Sequence, residues 1–241
     1  VARQIALLEH EIFRHITPKE CFKNAWNKKD KEKNAPHIVA LTQRFNNMSS
    51  WVATQILSSD NPKQRAKIFK FFVNVADHSM QLSNFNAMFA IISALNTASI
   101  HRLTKTKTHL SSKTNATMSN ISDLISTAGS YKNLREAISK IVPPCIPYIG
   151  VYLTDLTFLE DGNPDFIKVK NEIDGEERNL INFVKRRKVA KVVMDIRVWQ
   201  TSMYEYTPIP QLQEYLQKLE PRMQNDDELY NLSLKLEPRE K

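Results

Sequence analysis

Two carboxylates lie near the end of one strongly helical stretch of the sequence. Aliphatic residues recur every three or four positions over residues 146–161 and predict one apolar helix face. On the other side, Thr157 and Phe158 occupy positions where a solvated helix would carry Lys or Glu, and Asp155 and Asp161 flank them. A helix with side chains suited to burial on two sides needs a contact for each side. The second contact is either more of the protein core or another protein. On this pattern alone, a buried helix inside an all-α domain explains the stretch equally well.

The composition argues against several kinds of chemistry. The four glycines cannot build a phosphate-cradling Gly-rich loop, and no Gly-x-Ser-x-Gly nucleophile elbow is present. The six histidines are scattered, and Cys21 and Cys145 lack the spacing of metal ligands, so we expect no metal and no cofactor. Two isolated cysteines are typical of a protein in a reducing cytosolic setting. We expect both to be buried as small hydrophobic side chains.

The net charge of +8 indicates acidic partners, which are nucleic acid, anionic lipid or an acidic protein surface. One dense basic segment, KRRK at 185–188, lies within a predicted helix. A solvated helix face is its simplest explanation, and contact with an anionic membrane surface is a second. Nucleic-acid binding is the weaker hypothesis, because no aromatic stacking platform accompanies the run.

The apolar periodicity predicts an all-α protein, with a helix around residues 85–95 at the centre of the core. A capping box at Thr17 predicts a short helix that ends near Trp26. No strand-like alternation is evident. The other expected helices cover approximately residues 5–12, 36–57, 62–75, 121–127, 131–141, 146–161, 176–199, 210–219 and 226–238.

The segments between these helices are polar. Residues 28–33 predict a solvated loop, and residues 104–120 predict a mobile surface loop or a loosely packed link. Residues 167–177 predict a polar connection with a turn at Asp174-Gly175. No Gly/Ser-rich linker divides the chain, so one domain over 1–241 is the preferred interpretation. The initial valine suggests a piece of a longer protein, and no apolar run reaches the roughly 20 residues of a membrane span.

Residues 142–166, VPPCIPYIGVYLTDLTFLEDGNPDF, resemble the signature of the Ras guanine-nucleotide exchange factor catalytic domain, the Cdc-twenty-five homology domain. The resemblance extends in order over nearly the whole chain, which is far more specific than one short motif. The other matching segments are NAP at 34–36, NFN at 84–86, SALN at 93–96, RL at 102–103, LINF at 180–183, KRRK at 185–188 and LEPR at 236–239.

This resemblance implies an irregular multi-helix globular domain with a protruding antiparallel helical hairpin over about 146–199. In the family, such a hairpin inserts into the nucleotide site of Ras and displaces the first switch segment. A protein that binds the emptied GTPase more tightly than the loaded one weakens nucleotide binding by the same coupling free energy. No covalent chemistry is needed, so we expect an exchange factor rather than an enzyme that makes or breaks bonds.

Three residues at the hairpin end take their expected catalytic roles from the resemblance. Thr157 matches the position whose side chain approaches the Mg²⁺ site of the GTPase. Asp161 matches an acid near the α-phosphate site, where a carboxylate repels phosphate. Asn163 lies in the turn beside it. The competing interpretation of DGN at 161–163 is simple helix-end chemistry.

A second group of residues is expected to bind the second switch segment of the GTPase. The resemblance implies an apolar pocket with aromatic walls, and aromatic anchors usually dominate binding at interfaces. Some of these aromatic residues are equally well explained as core, although Trp26 is less so because it precedes the polar 28–33 segment. The expected residues are Trp26, Thr42, Phe89, Tyr131 and Tyr148, with Asn96 as a polar contact.

The expected function is therefore release of GDP from a Ras-family small GTPase of the Ras, Rap or Ral type, followed by loading of cellular GTP. We expect a monomer or a 1:1 complex with the GTPase, in the cytoplasm and recruited to the inner face of membranes, with no nucleic-acid partner. Two alternatives belong to other classes: a helical scaffold that binds a GTPase without exchange, and a basic helical nucleic-acid binder.

Overall fold

The computed structural model describes residues 1–170, 176–219 and 225–239. Within these ranges two 3₁₀ turns, Pro18–Cys21 and Ala25–Asn27, follow the first helix, and one antiparallel pair of strands forms, β1 (Phe166–Lys170) and β2 (Glu177–Ile181). The described helices are α1 (Ala2–Phe13), α2 (Lys31–Asn34), α3 (Pro36–Leu57), α4 (Pro62–Gln81), α5 (Phe85–Asn96), α6 (Ala98–His101), α7 (Thr104–Lys107), α8 (Ser112–Leu124), α9 (Ala128–Ile138), α10 (Ile149–Asp161), α11 (Phe183–Val198), α12 (Pro210–Gln217) and α13 (Asp226–Leu236). The prediction of an all-α fold class is confirmed.

The long helices begin where local capping chemistry predicts. Pro36 and Pro62 open α3 and α4 at a position that needs no backbone donor. The side-chain oxygen of Asn61 accepts from the backbone N–H of Lys63 at 2.9 Å, which caps α4. Asn84 caps α5 in the same way. These signals are local, and they therefore locate the helix starts from sequence alone.

Helix α5 lies at the centre of the core, as its sequence predicts. Its side chains are apolar on all sides and buried almost throughout, which is typical of a helix enclosed by other helices. Helices α3 and α4 pack against it along their lengths, and α1 contacts all three. The body of the protein is thus a helical core built around α5.

The segment after Thr17 differs from the predicted short helix, because it forms the two 3₁₀ turns instead. The predicted capping contact is present: the Glu20 carboxylate accepts from the Thr17 N–H at 3.0 Å. The same carboxylate also accepts from the N–H groups of His37 and Ile38 at the start of α3. Burial alone would raise the pKa of Glu20, but a hydrogen bond with the His37 imidazole, at 2.9 Å, and these backbone hydrogen bonds outweigh it and lower the pKa. Residues 28–33 are solvated as predicted, although α2 begins within them.

The prediction of a mobile loop over residues 104–120 is wrong, because this polar stretch forms α7 and most of α8. Side-chain hydrogen bonds, rather than a stripe of buried apolar residues, stabilise these helices. Ser111 caps α8 by accepting from the N–H of Thr114 at 3.2 Å. The buried Thr106 donates its hydroxyl to Glu237 at 2.6 Å, which ties α7 to the chain after α13. Polar composition therefore did not indicate an absence of structure.

The strands were not predicted either, and they shorten the expected long helix. That helix begins at Phe183, after Asn182 caps it, and not at residue 176. All residues of β1 and β2 are exposed, so the strands lack the alternation of buried and solvated positions that marks a strand in a sequence. The expected turn at Asp174-Gly175 lies outside the described residues.

Helices α10 and α11 run antiparallel, as the hairpin prediction requires. At one end the Lys185 ammonium contacts Glu160 at 2.6 Å. At the other end the Trp199 indole N–H donates to the Tyr152 hydroxyl at 3.2 Å. The two helices bury Leu156 and Val193 but expose large apolar groups on their outer sides. No described helix is both long enough and apolar enough to cross a bilayer.

Candidate functional site

The last turn of α10 presents an unpaired carboxylate. Asp161 is exposed, and within the described residues it has no hydrogen-bond or ion-pair partner. Gly162 follows it, and a Cβ atom there would lie 2.9 Å from the Phe158 carbonyl oxygen, so the turn requires glycine. The Asn163 side-chain amide donates to the Leu159 carbonyl at 3.1 Å. Asn163 therefore caps the helix end, which is the role that the simpler interpretation of the DGN turn assigned to it.

Thr157 and Phe158 lie on the same side of α10 as Asp161, one turn before it. Residues three and four positions apart lie along one side of a helix, which aligns both with Asp161. Thr157 is half-buried and donates its hydroxyl to the Leu153 carbonyl at 2.9 Å. Phe158 is 71% exposed, which is unusual for a phenylalanine without a partner. Two of the three predicted catalytic residues are thus brought to one exposed surface, and Asn163 adjoins them.

The other flanking acid has a structural partner. Asp155 accepts two hydrogen bonds from the Arg135 guanidinium, at 2.9 and 2.8 Å. This bidentate geometry joins α10 to α9 with a defined orientation. Of the two acids singled out in the sequence, only Asp161 is therefore available to a partner molecule.

Ion pairs connect the two helices below this surface. Lys185, in the first turn of α11, contacts Glu160 at 2.6 Å and Asp165 at 2.9 Å. Arg186 also donates to Asp165, at 3.0 Å. We call these four residues the tip cluster. Its hydrogen bond from Lys185 holds the pKa of Asp165 below its usual value. The KRRK run is therefore divided, because Lys185 and Arg186 are paired while Arg187 and Lys188 face solvent.

An open cavity of about 580 Å³ lies beside the tip cluster. One wall is the 160–165 segment, and the other is formed by Lys23, Asn24 and Lys28. Lys23 and Asn24 both adopt a left-handed backbone with φ of 53°, and the Lys23 N–H donates to the Glu160 carboxylate at 3.3 Å. The cavity thus carries both signs of charge, and Asp161 lies in its wall.

The structure brings three predicted aromatic residues into one cluster. The Phe89 and Tyr148 rings stack with centroids 3.9 Å apart, and Tyr131 meets Phe89 edge to face at 6.0 Å. Phe45 on α3 joins Tyr148 at 5.4 Å, and it was missed as a site residue because its spacing indicates only a core position. Burial, and secondarily the neighbouring Tyr131, raises the pKa of Tyr148. We call these four residues the aromatic cluster.

Two backbone features position the aromatic cluster. A Cβ atom on Gly150 would lie 2.4 Å from the Tyr148 ring, so only glycine lets this ring fold against the start of α10. Gly129, Ser130 and Tyr131 all have positive φ, between 56 and 63°. This conformation is strained for the two non-glycine residues, and such strain is concentrated at functional sites.

The remaining predicted contacts are placed differently. Thr42 is exposed on α3, one turn before Phe45 and on the same side of the helix. Asn96 is exposed at the end of α5, two turns beyond Phe89 on one side. Trp26 is only 9% exposed and packs in the core with Phe13 and Leu41. The sequence made a core position the less easily explained one for Trp26, but the 3₁₀ turns fold its indole inward.

The protein is an all-α domain with an acid-tipped helical hairpin and an aromatic cluster, and these features are typical of the class of proteins that bind another protein. The described residues contain no group of side chains able to hold a metal ion. The model of the RasGEF domain family matches residues 1–187. The chain therefore belongs to this family.

Relatives with assigned names agree with this. The chain is 38% identical to Ras guanine nucleotide exchange factor A of Dictyostelium discoideum, over 99% of this chain and 40% of that protein. It is 39% identical to Ras-specific guanine nucleotide-releasing factor 2 of Danio rerio and 37% identical to factor 1 of Rattus norvegicus, over 99% of this chain and 18% of each of those proteins. The chain thus spans less than half the length of each of these relatives.

Proposed function

We propose that this chain is an exchange domain, a single unit over residues 1–241, that accelerates GDP release from a Ras-family small GTPase. The observation that carries the proposal is Asp161, which has no partner among the residues that the structure describes, at an exposed hairpin end in a member of the RasGEF domain family. The names of the relatives support Ras-type GTPases as partners. The sequence resemblance extends the candidates to Ras, Rap and Ral types.

The proposed mechanism is competition for the GTPase. A small GTPase holds its nucleotide through phosphates, Mg²⁺ and ordered switch segments. The end of α10 enters this site, where the Asp161 carboxylate repels the α-phosphate and accepts hydrogen bonds from the donors that phosphate vacates. Thr157, one turn earlier, occupies the space beside the Mg²⁺ position. Asn163 acts indirectly, by capping the helix that carries Asp161.

Binding free energy at the aromatic cluster offsets the cost of opening the nucleotide site. A thousand-fold faster release requires about 4 kcal/mol of differential stabilisation. Ordered aromatic side chains can supply a contribution of this size where they bury a partner segment. The half-buried Tyr131 and Tyr148 form this surface for the second switch segment, with Thr42 and Asn96 at its sides. The buried Phe89 contributes by stacking beneath Tyr148. Trp26 supports the site from the core.

The one α10–α11 hairpin that the described residues form supports a 1:1 complex with the GTPase. Because Ras-type GTPases are lipid-anchored, we propose recruitment from the cytoplasm to the inner membrane face during exchange. Arg187 and Lys188 are the part of the KRRK run that remains exposed, and they would provide contact with anionic lipid. The paired Lys185 and Arg186 would not take part.

The test is release of a fluorescent nucleotide from purified Ras, Rap and Ral proteins. We expect acceleration with at least one of them and an approximately tenfold slower rate for Asp161→Ala, with unchanged thermal unfolding. Glu228→Ala, which removes an exposed acid from the start of α13, is the matched control and keeps the parent rate. Binding without acceleration would identify a scaffold instead, and equal rates for Asp161→Ala and the parent would remove Asp161 from the mechanism.

A further inference from the structure

The Lys185 ammonium is one of the most enclosed charges in the described part of the chain. Its side chain is 3% exposed, and its three donors meet three oxygens: Glu160 Oε2 at 2.6 Å, Asp165 Oδ1 at 2.9 Å and the Glu160 carbonyl at 3.3 Å. Burial opposes the charge, but the two carboxylates outweigh it and raise the pKa of Lys185. The group is therefore charged at neutral pH and fully satisfied.

These contacts enclose the turn that carries the catalytic candidates. Glu160 precedes residues 161–164 and Asp165 follows them, so one ammonium binds both ends of the turn. The start of α11 adds two more bonds: the Asn182 side-chain amide donates to the Pro164 carbonyl, and the Asn182 N–H donates to the Asp165 carbonyl, both at 2.9 Å. The direction in which Asp161 points is thus set from α11 rather than from α10 alone.

The other carboxylate oxygen of Glu160 connects the turn to the body of the domain. Glu160 Oε1 accepts from the Lys23 N–H at 3.3 Å, on the opposite wall of the cavity. Lys23 has the left-handed backbone conformation described above, which aims this N–H at the hairpin. Lys185 therefore orients a carboxylate that bridges the hairpin end and the 22–24 segment.

We propose that Lys185 is a positioning residue for nucleotide exchange, which acts by orienting the 161–164 turn through Glu160 and Asp165. This inference rests on the proposed function. A purely stabilising role is the alternative, and buried ion pairs are weak evidence for stability, because desolvation of both charges offsets their attraction. The two roles differ in one respect: a positioning residue loses its effect when the group it positions has been removed.

The test is a double-mutant cycle between Lys185 and Asp161, measured as the maximal rate of nucleotide release at saturating exchange domain. To avoid leaving a buried carboxylate unpaired, the Lys185 variant is the pair Lys185→Met with Glu160→Gln. We expect this variant to lower the maximal rate about tenfold. In an Asp161→Ala background, we expect the same change to lower the rate less than twofold further. Lys185→Arg, which retains the charge and donors, should recover most of the rate.

Two further measurements separate the possible outcomes. Hydrogen exchange of the backbone amides of residues 161–165 should accelerate in the Lys185 variant, while amides of α5 keep their protection. Lys191→Met, at an exposed lysine of α11 outside the tip cluster, is the control and should match the parent in both assays.

Two outcomes would overturn the positioning role and leave the proposed function in place. In the first, the Lys185 and Asp161 changes lower the release rate independently of each other. In the second, the Lys185 variant releases nucleotide as fast as an active parent. A parent chain that accelerates no GTPase would overturn the proposed function, and the positioning role with it. Loss of α5 protection in the variant would assign Lys185 a global stabilising role and would also overturn the proposal.

Discussion

Helix α5 is enclosed by other helices along nearly its whole length, whereas the α10–α11 hairpin exposes Phe158, Met194 and Val198 to solvent. Burial of α5 is a large, non-directional contribution to the free energy of folding. The hairpin buries only its inner side, at residues such as Leu156 and Val193. Directional contacts add to this burial, and the tip cluster and the Arg135–Asp155 pair are the clearest of them. Ion pairs of this kind add little net stability, because desolvation or solvent screening offsets their attraction, but they define orientation.

This difference implies that stability and exchange are controlled in separate parts of the chain. Changes in the core should lower the free energy of unfolding, and changes on the hairpin surface should alter exchange with the fold intact. This separation would be wrong if core variants and hairpin variants all changed the free energy of unfolding and the exchange rate in the same proportion.

The largest effect on stability is expected from Ile91→Ala in α5. Ile91 is fully buried, so the change should lower the free energy of unfolding by about 2–5 kcal/mol, through lost apolar burial and the cavity left behind. Met194→Ala on the hairpin, where the side chain is 66% exposed, is the control and should stay within about 0.5 kcal/mol. Chemical denaturation measures both, and similar losses would contradict the contrast.

The second effect concerns a polar network that belongs to the body. Glu237 accepts from Thr106 and from Arg65, at 2.6 and 2.8 Å. Burial alone would raise the pKa of Glu237, but these bonds outweigh it and hold the pKa below its usual value. The stabilisation by this carboxylate is therefore complete above its unfolded pKa of about 4.3 and is lost as pH falls through the lower folded value.

Glu237→Gln should lower the free energy of unfolding by about 1.5–3 kcal/mol at neutral pH, because charged hydrogen bonds are lost. The variant should also show a smaller loss of stability than the parent below pH 4.3 or so. Denaturation curves at several pH values measure this. Parallel pH profiles for parent and variant would show that Glu237 does not titrate with unfolding.

On the hairpin, Phe158→Ala should change the fold little and exchange strongly. The exposed ring aligns with Asp161, so we expect the release rate of GTPase-bound nucleotide to fall about tenfold, which equals about 1.4 kcal/mol. The free energy of unfolding should stay within about 0.5 kcal/mol. Phe71→Ala, at an exposed phenylalanine of α4, is the matched control with the parent rate. An unchanged rate for Phe158→Ala would confine the exchange surface to other residues.

The smallest effect is expected in the strands. Lys168 and Glu177 pair at 3.3 Å with both side chains largely exposed, so water and salt screen the interaction. Lys168→Ala should shift the free energy of unfolding by less than about 0.5 kcal/mol and leave exchange unchanged. A larger shift in either quantity would show that the exposed strands, like the tip cluster, help to orient the hairpin.

The long helices were predictable because their signals are local. Pro at the first position, Asn caps and apolar residues at helical spacing lie within a few positions of each other, which located α3, α4 and α5. Only the end of α8 was predicted, because a side-chain cap at Ser111 rather than apolar periodicity defines its start. The strands were missed because both of their sides are exposed.

The candidate site could be predicted only in part from the sequence. The sequence located Asp161 at a helix end, and the family resemblance assigned it a role. The sequence does not show that Asp155 is bound to Arg135 or that Phe45 joins the aromatic cluster. Each of these contacts joins side chains whose distance depends on how the helices turn and pack.

The sequence by itself determined the all-α class, the main helices and the acidic end of α10, because neighbouring residues encode each of these through spacing and capping. Only the tertiary structure decided which side of each element is enclosed. It buried Trp26 beside a polar segment and divided the KRRK run into a paired and an exposed half. Burial and pairing depend on residues distant in the chain, so no local pattern could report them.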